Sequence, residues 1–358
     1  MFKINLSGKN RFYIIFLILV LFFIKFSTTY ASSKTFNIVD LEIIKPYDKY
    51  FDKKKIIEEA FILAFEELIA KITLSDDSNK INKNNLKLIQ SLVDSFTVVD
   101  EKFVKKKYIA NFEVNFNKKE ILDFLENKNI FPSIPNKKKL LLLPILIDVK
   151  NNEIFLFSEN LFYTNWYLQS EKYYLLEYIL PNEDLDDINL ISKNLDKIED
   201  YNFEKIISKY ELNDSIISII FKNEKDLTIL SKVNINNNLV ISNQNLKEIN
   251  IENINNLMEV INSLKIIYEN HWKKINQINT SIKLTLNIYL NSKNYQLINE
   301  FENYLESLDL VSNYYIDNFN NEKTLFKIIY NATPDKFIKN TLNKGFKIDT
   351  STSDWKIQ

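Results

Sequence analysis

Ser281-Ile-Lys-Leu-Thr-Leu-Asn-Ile-Tyr-Leu290 decides how the chain is read, because Ile282, Leu284, Leu286, Ile288 and Leu290 fall on every second position. A period of two puts those five side chains on one face of a strand and the intervening residues on the other. The apolar spacing then changes to three and four at Leu297, Ile298, Phe301, Leu305 and Leu308, which is a helix. Leu310–Ile316 and Thr324–Tyr330 return to strand patterning, with the Asn-rich residues 318–321 between them. Thr333-Pro334 opens a second helix as cap and first residue, Gly345 ends it, and Phe346–Asp349 makes a last short strand. The order β-α-β-β-α-β over residues 280–350 is the split, ferredoxin-like arrangement.

Upstream lies a middle α/β module, residues 137–277. It begins with Leu140-Leu-Leu-Leu-Pro-Ile-Leu-Ile147, apolar at every position, as expected of a strand buried from both sides. Further strands are expected at Ile154–Phe157, Tyr174–Leu180, Ile216–Phe221, Leu227–Val233 and Leu239–Ser242. Helices are expected around Leu161–Gln169, Phe203–Tyr210 and Ile251–Ile275. Phe131-Pro-Ser-Ile-Pro-Asn136 precedes this module as a linker, since two prolines disfavour helix and remove ladder donors. Residues 35–130 form the first module, in the order β-α-α-β-β-α. Its strands are Phe36–Ile44, Phe96–Phe103 and Tyr108–Phe116. Its long helix opens at Asp52 with the stripe Ile57, Phe61, Ala64, Phe65, Leu68 and Ile72. The fold class is therefore α/β (α+β), three small two-layer modules in series.

Composition excludes much chemistry. The 358 residues include 2 Gly, 0 Cys and 1 His. Without cysteine there is no thiolate nucleophile, disulfide or Cys-ligated metal. Gly8 and Gly345 lie far apart, so no glycine-rich phosphate loop exists, and no cofactor is expected. Arg11 is the only arginine, so the Lys-rich and Asn-rich character reads as the coding bias of an AT-rich genome.

Lys3, Lys9 and Arg11 precede an unbroken apolar run, Phe12–Ile24, which is followed by small residues at Thr29 and Ala31. That order predicts a signal peptide over residues 1–31, cleaved after Ala31, and export to the periplasm. The alternative is an inner-membrane anchor over residues 12–30, which would be the chain's only membrane contact. Cleavage removes four basic residues and no acid, leaving 42 basic and 47 acidic residues, net −5. Such a balance is unsuited to nucleic acid, so no nucleic-acid partner is expected.

With the three modules laid out, the chain resembles a bacterial exported family, domain of unknown function 2066, over roughly residues 35–350. The resemblance is carried by the Ala-rich helix Ala60–Ala70, by Glu101-Lys102 followed by Tyr108-Ile109, and by the Leu-rich, Pro-containing strand Leu140–Ile147. Asn160 and Trp166 match an N-P-W…W segment in which Leu161 and Phe162 replace Pro and Trp. Pro181, Asp184 and Asp187 match a P-x-x-D-x-x-D turn. The resemblance implies an envelope location and carries no activity with it.

Candidate site residues are few. Trp166 with Phe162, Tyr163 and Tyr167 either fills a core or lines a groove. Glu183, Asp184, Asp186 and Asp187 form the densest acidic cluster, read as a solvated turn that caps a helix or as carboxylates for hydrolysis. Trp166, Phe162, Asp184 and Asp187 are accordingly the candidate ligand or partner surface. His271 reads as a packing or cap residue, and Phe326, Ile328 and Tyr330 as core. The functional expectation is a non-catalytic, exported envelope protein of interaction modules, binding an envelope protein or cell-wall component. The alternatives are a carboxylate-dependent periplasmic hydrolase and a soluble carrier of an apolar ligand.

Overall fold

A computed structural model describes residues 36–168 and 174–358. The signal segment, its cleavage point after Ala31 and the expected helix end at Gln169 lie outside the described residues. Among the described residues no helix is long and apolar enough to cross a membrane. The fold is α+β, with three sheets in several modules.

The first sheet has the order β1-β3-β2, from β1 (Asn37–Pro46), β2 (Val93–Val104) and β3 (Lys107–Phe116). Helix α1 (Lys53–Ile72) covers one face. It starts where expected, because the Asp52 side chain accepts the Lys54 N–H at 2.9 Å. Phe61, Ala64, Phe65, Leu68 and Ile72 are buried against Tyr108, Phe112 and Val114. Three shorter helices, α2 (Ser75–Ser78), α3 (Leu86–Leu92) and α4 (Lys118–Glu126), complete the layer.

The middle sheet runs β5-β4-β7-β8-β9, with β6 also on β4. Its strands are β4 (Lys138–Asp148), β5 (Glu153–Phe155), β6 (Leu176–Ile179), β7 (Ser215–Asn223), β8 (Asp226–Ile235) and β9 (Asn238–Leu246). The central strand β4 is buried on both faces. Leu140, Leu142 and Leu146 enter one core with Phe162 and Trp166 of the segment headed by α5 (Leu161–Asn165). Leu143, Ile145 and Ile147 enter another with Ile191 and Ile206, on α6 (Leu185–Lys193) and α7 (Glu204–Ile207). Helix α8 (Ile254–Ile275) lies on the first of these faces through Leu257, Ile261, Leu264 and Tyr268. This module therefore has three layers, not two. A strand apolar on both sides needs cover on both, and α6 supplies the second.

Pro144 sits inside β4 without breaking it. On one edge, β6 pairs with residues 138–141 and β5 with residues 146–148, so 142–145 face a gap between them. The ring that lacks an N–H faces that gap. Asn160 fills it, donating Nδ2–H to the Pro144 carbonyl at 3.0 Å and to the Phe155 carbonyl at 3.2 Å. Its Oδ1 accepts the Phe162 N–H at 2.9 Å, which caps α5.

The third sheet departs from the ferredoxin-like expectation at its end. Strands β10 (Leu284–Asn291), β11 (Val311–Phe319) and β12 (Lys323–Tyr330) with helices α9 (Tyr295–Ser307) and α10 (Pro334–Asn343) follow the split pattern. The fourth strand does not. β13 (Ile348–Asp349) pairs only with β14 (Trp355–Ile357), and β14 lies parallel beside β10, giving the order β11-β12-β10-β14-β13. The terminal hairpin inserts its second strand where a single antiparallel strand was expected, and the module continues to Ile357, past the expected boundary at 350.

The modules are docked on one another rather than strung out. The linker Phe131–Asn136 is bonded on both sides: Ser133 N–H to Ile72 O at 2.6 Å, Ile134 N–H to Asn276 O at 3.0 Å. Lys273 Nζ donates to Ala70 O at 2.5 Å, and the Asn270 amide holds Ser75. Lys118, at the start of α4, donates to the Leu308 carbonyl at the end of α9. The stem of Lys118 is partly exposed, but its ammonium is enclosed, and burial depresses its pKa to about 8. Between that value and its unfolded value near 10.5, the unfolded chain binds the extra proton. Stability is therefore expected to rise with pH from about 8 to 10.5 by this group, an increment that Lys118→Met removes. Parallel pH slopes for the two proteins in denaturant titrations would contradict it.

Candidate functional site

The sequence-derived candidates are built into the framework. Trp166 and Phe162 are each 0% exposed. The indole stacks on Tyr268 (centroids 6.4 Å apart, 24° between planes) and meets Tyr178 edge-on at 5.3 Å. A ligand or partner surface at Trp166 and Phe162 is thus corrected: the short helix α5 turns both side chains onto β4 and α8, and they are core. Tyr163 donates to Pro181 O at 2.7 Å, tying that helix to the acidic turn.

Asp184 caps α6, its Oδ1 accepting the Asp186 N–H at 2.8 Å. Lys209 clamps the turn, with Nζ 2.7 Å from Asp184 Oδ2 and 2.6 Å from Asp187 Oδ1. The lysine holds the Asp184 carboxyl below the usual carboxylate range. Asp187 is 1% exposed beneath it. Through these two contacts Lys209 staples α6 to residues 208–210. A crevice of about 540 Å³ beside it is lined by Glu183, Asp184, Lys209 and Tyr210. Among the described residues no group of three His, Asp or Glu side chains could hold a metal ion.

Two further sequence features resolve as structure. His271 is half buried at the foot of α8, where burial and then the Lys274 charge lower its pKa. Phe326, Ile328 and Tyr330 are fully buried under α9 and α10. One polar seam was not foreseen: Glu269, 2% exposed, accepts the N–H groups of Leu175 at 2.9 Å and Leu176 at 2.7 Å. Burial raises its pKa. It anchors the start of β6 to α8, with Lys265 one turn before it lying over the Trp166 ring.

What remains unfilled is an edge. Strand β2 pairs with β3 alone, leaving twelve residues on the open side of the first sheet. Its shift in register between Val98 and Asp100 is a bulge that separates two regular stretches. Along it Phe96, Val99, Phe103 and Val104 are exposed, Val99 at 57% and Phe103 at 55%. Phe96 packs edge-on against Phe61 of α1 at 5.1 Å, and Phe103 against Tyr47 at 4.8 Å and Tyr108 at 5.3 Å. Between these aromatics Glu101 pairs with Lys53 at 2.7 Å. That bond lowers the Glu101 pKa, while burial and then Glu101 push the Tyr108 hydroxyl up to about 12.

The physical consequence is a half-covered shelf. α1 shields the inner rim of Phe96 through Phe61, Tyr47 and Tyr108 shield that of Phe103, and one additional strand beside β2 would cover the rest while taking up its free backbone groups. Sequence reading found the strand but not its exposure. The adjacent Val98-Val99 breaks alternation at the bulge, so no face could be assigned.

No family model matches the chain, and no curated protein matches it.

Proposed function

We propose that this protein is a non-catalytic, exported envelope component that binds an extended segment of a partner protein along β2. Export and periplasmic location rest on the N-terminal sequence pattern, and the resemblance to domain of unknown function 2066 agrees with an envelope role. The observation that carries the binding reading is the open β2 edge with four exposed apolar side chains. Backbone pairing would supply affinity, and Phe96 and Phe103 on the inner face would select apolar residues at alternate positions of the partner.

The test is a photo-crosslinking scan in cells exporting the full chain. A crosslinker at Phe96, Val99 or Val104 is expected to trap one partner, and Val99→Lys is expected to abolish the adduct at the other two positions. Val99 is an exposed edge residue, so the lysine should shift unfolding free energy by no more than about 0.5 kcal/mol. Equal trapping at Leu239 and Ile241, exposed on the edge strand β9, would sink the assignment to β2.

A further inference from the structure

We propose that the tip of the first module docks onto an anionic lipid surface. The tip is made by residues 45–55, which lead from β1 into α1, and residues 100–107, the end of β2 and its hairpin turn into β3. The two segments are joined by the Tyr47 N–H bonded to Lys106 O at 2.8 Å and by pairing of Pro46 with Lys107. Together they carry nine lysines against four carboxylates, in a chain whose overall charge is −1. Lys105 and Lys106 are exposed and form no ion pair among the described residues. Lys49 extends over the ring of Tyr50 at 4.8 Å, and Tyr50 itself is 78% exposed. Exposed tyrosines among unpaired lysines suit the interface of an anionic bilayer, where rings sit at headgroup depth and ammonium groups meet phosphates.

Backbone conformation is a second, independent observation. Lys105 and Lys106 both have positive φ, 50° and 60°. A two-residue hairpin of that kind favours asparagine and glycine. The chain fills the matching turn between β8 and β9 with Asn236-Asn237, at φ 54° and 61°. Placing two lysines where asparagine fits better is backbone strain that presents charge at the tip. The proposal does not rest on partner binding along β2, since Tyr50, Lys105 and Lys106 lie outside that strand.

The chain has no cysteine, so Tyr50→Cys gives one attachment point for an environment-sensitive fluorophore. In the full chain, vesicles with about 30% phosphatidylglycerol are expected to shift its emission to the blue. A label at Asn321→Cys, in the turn between β11 and β12, should stay unshifted. Lys105→Asn with Lys106→Asn removes the charge and suits the turn. At about fivefold per lysine, the lipid needed for half the shift should rise about 25-fold, with the unfolding midpoint unchanged or higher. Salt at about 0.5 M should abolish the shift. An equal shift with phosphatidylcholine vesicles, an unchanged half-point in the double variant, or tighter binding to double-stranded DNA than to the vesicles would overturn the proposal.

Discussion

Trp166→Ala is expected to lower the unfolding free energy by about 3–5 kcal/mol. The indole is wholly enclosed by Phe162, Tyr178, Tyr268 and the β4 side chains, so its removal leaves a cavity that two aromatic neighbours and a strand cannot close. The buried indole N–H has no hydrogen-bond partner, so it contributes nothing to offset its desolvation. Trp166→Phe, which keeps a ring and deletes that N–H, should therefore cost clearly less than alanine. A groove-lining tryptophan would behave differently, with alanine costing under about 0.5 kcal/mol and weakening ligand binding instead. Denaturant unfolding of the two variants separates these cases, and a loss below about 1 kcal/mol for alanine would refute the core assignment.

Asn160→Ala is expected to cost at least about 3 kcal/mol, because it strands two carbonyls and one N–H at about 1 kcal/mol or more each. Those groups belong to Pro144, Phe155 and Phe162, and Asn160 itself is 0% exposed. Asn160→Asp is the sharper variant. Aspartate caps helices as well as asparagine does, so a residue that only capped α5 would tolerate it. Here the second oxygen would replace a donor that faces two carbonyls, so aspartate should be at least as damaging as alanine near neutral pH. A nearly neutral Asn160→Asp would show that the gap beside Pro144 needs no donor. Asn160 and Trp166 thus both hold the middle module together.

How far the sequence could be read follows from which residues carry a period. Leu284–Leu290 alternates and Leu140–Ile147 is apolar throughout, and both became strands buried as those patterns require, whereas Ile282 falls before β10 and is exposed. Trp355-Lys-Ile357 is too short to carry a period, so the strand that displaces the fourth ferredoxin-like position was invisible. The second helical layer was missed because α6 offers little more than Ile188 and Ile191 to mark a buried face. Aromatic clustering at 162–167 could not be assigned to core or groove, since that depends on how α5 meets β4 and α8 across the sequence. Scarce glycine did leave its mark on the turns. Asparagine takes four of the eleven positive-φ positions filled by other residues among the described ones, but Lys105, Lys106, Glu211, Glu224 and Glu248 take five more.

The most direct test of partner binding along β2 is amide hydrogen exchange on the full chain, with and without the protein trapped by crosslinking. Added backbone bonds slow exchange of edge amides, whatever side chains the partner brings. Protection is expected to rise over Ser95–Val98 and Asp100–Val104, on either side of the bulge, and to stay unchanged over β9 and β11. Protection confined to the crevice at Asp184–Tyr210, with β2 exchanging as freely as before, would contradict it.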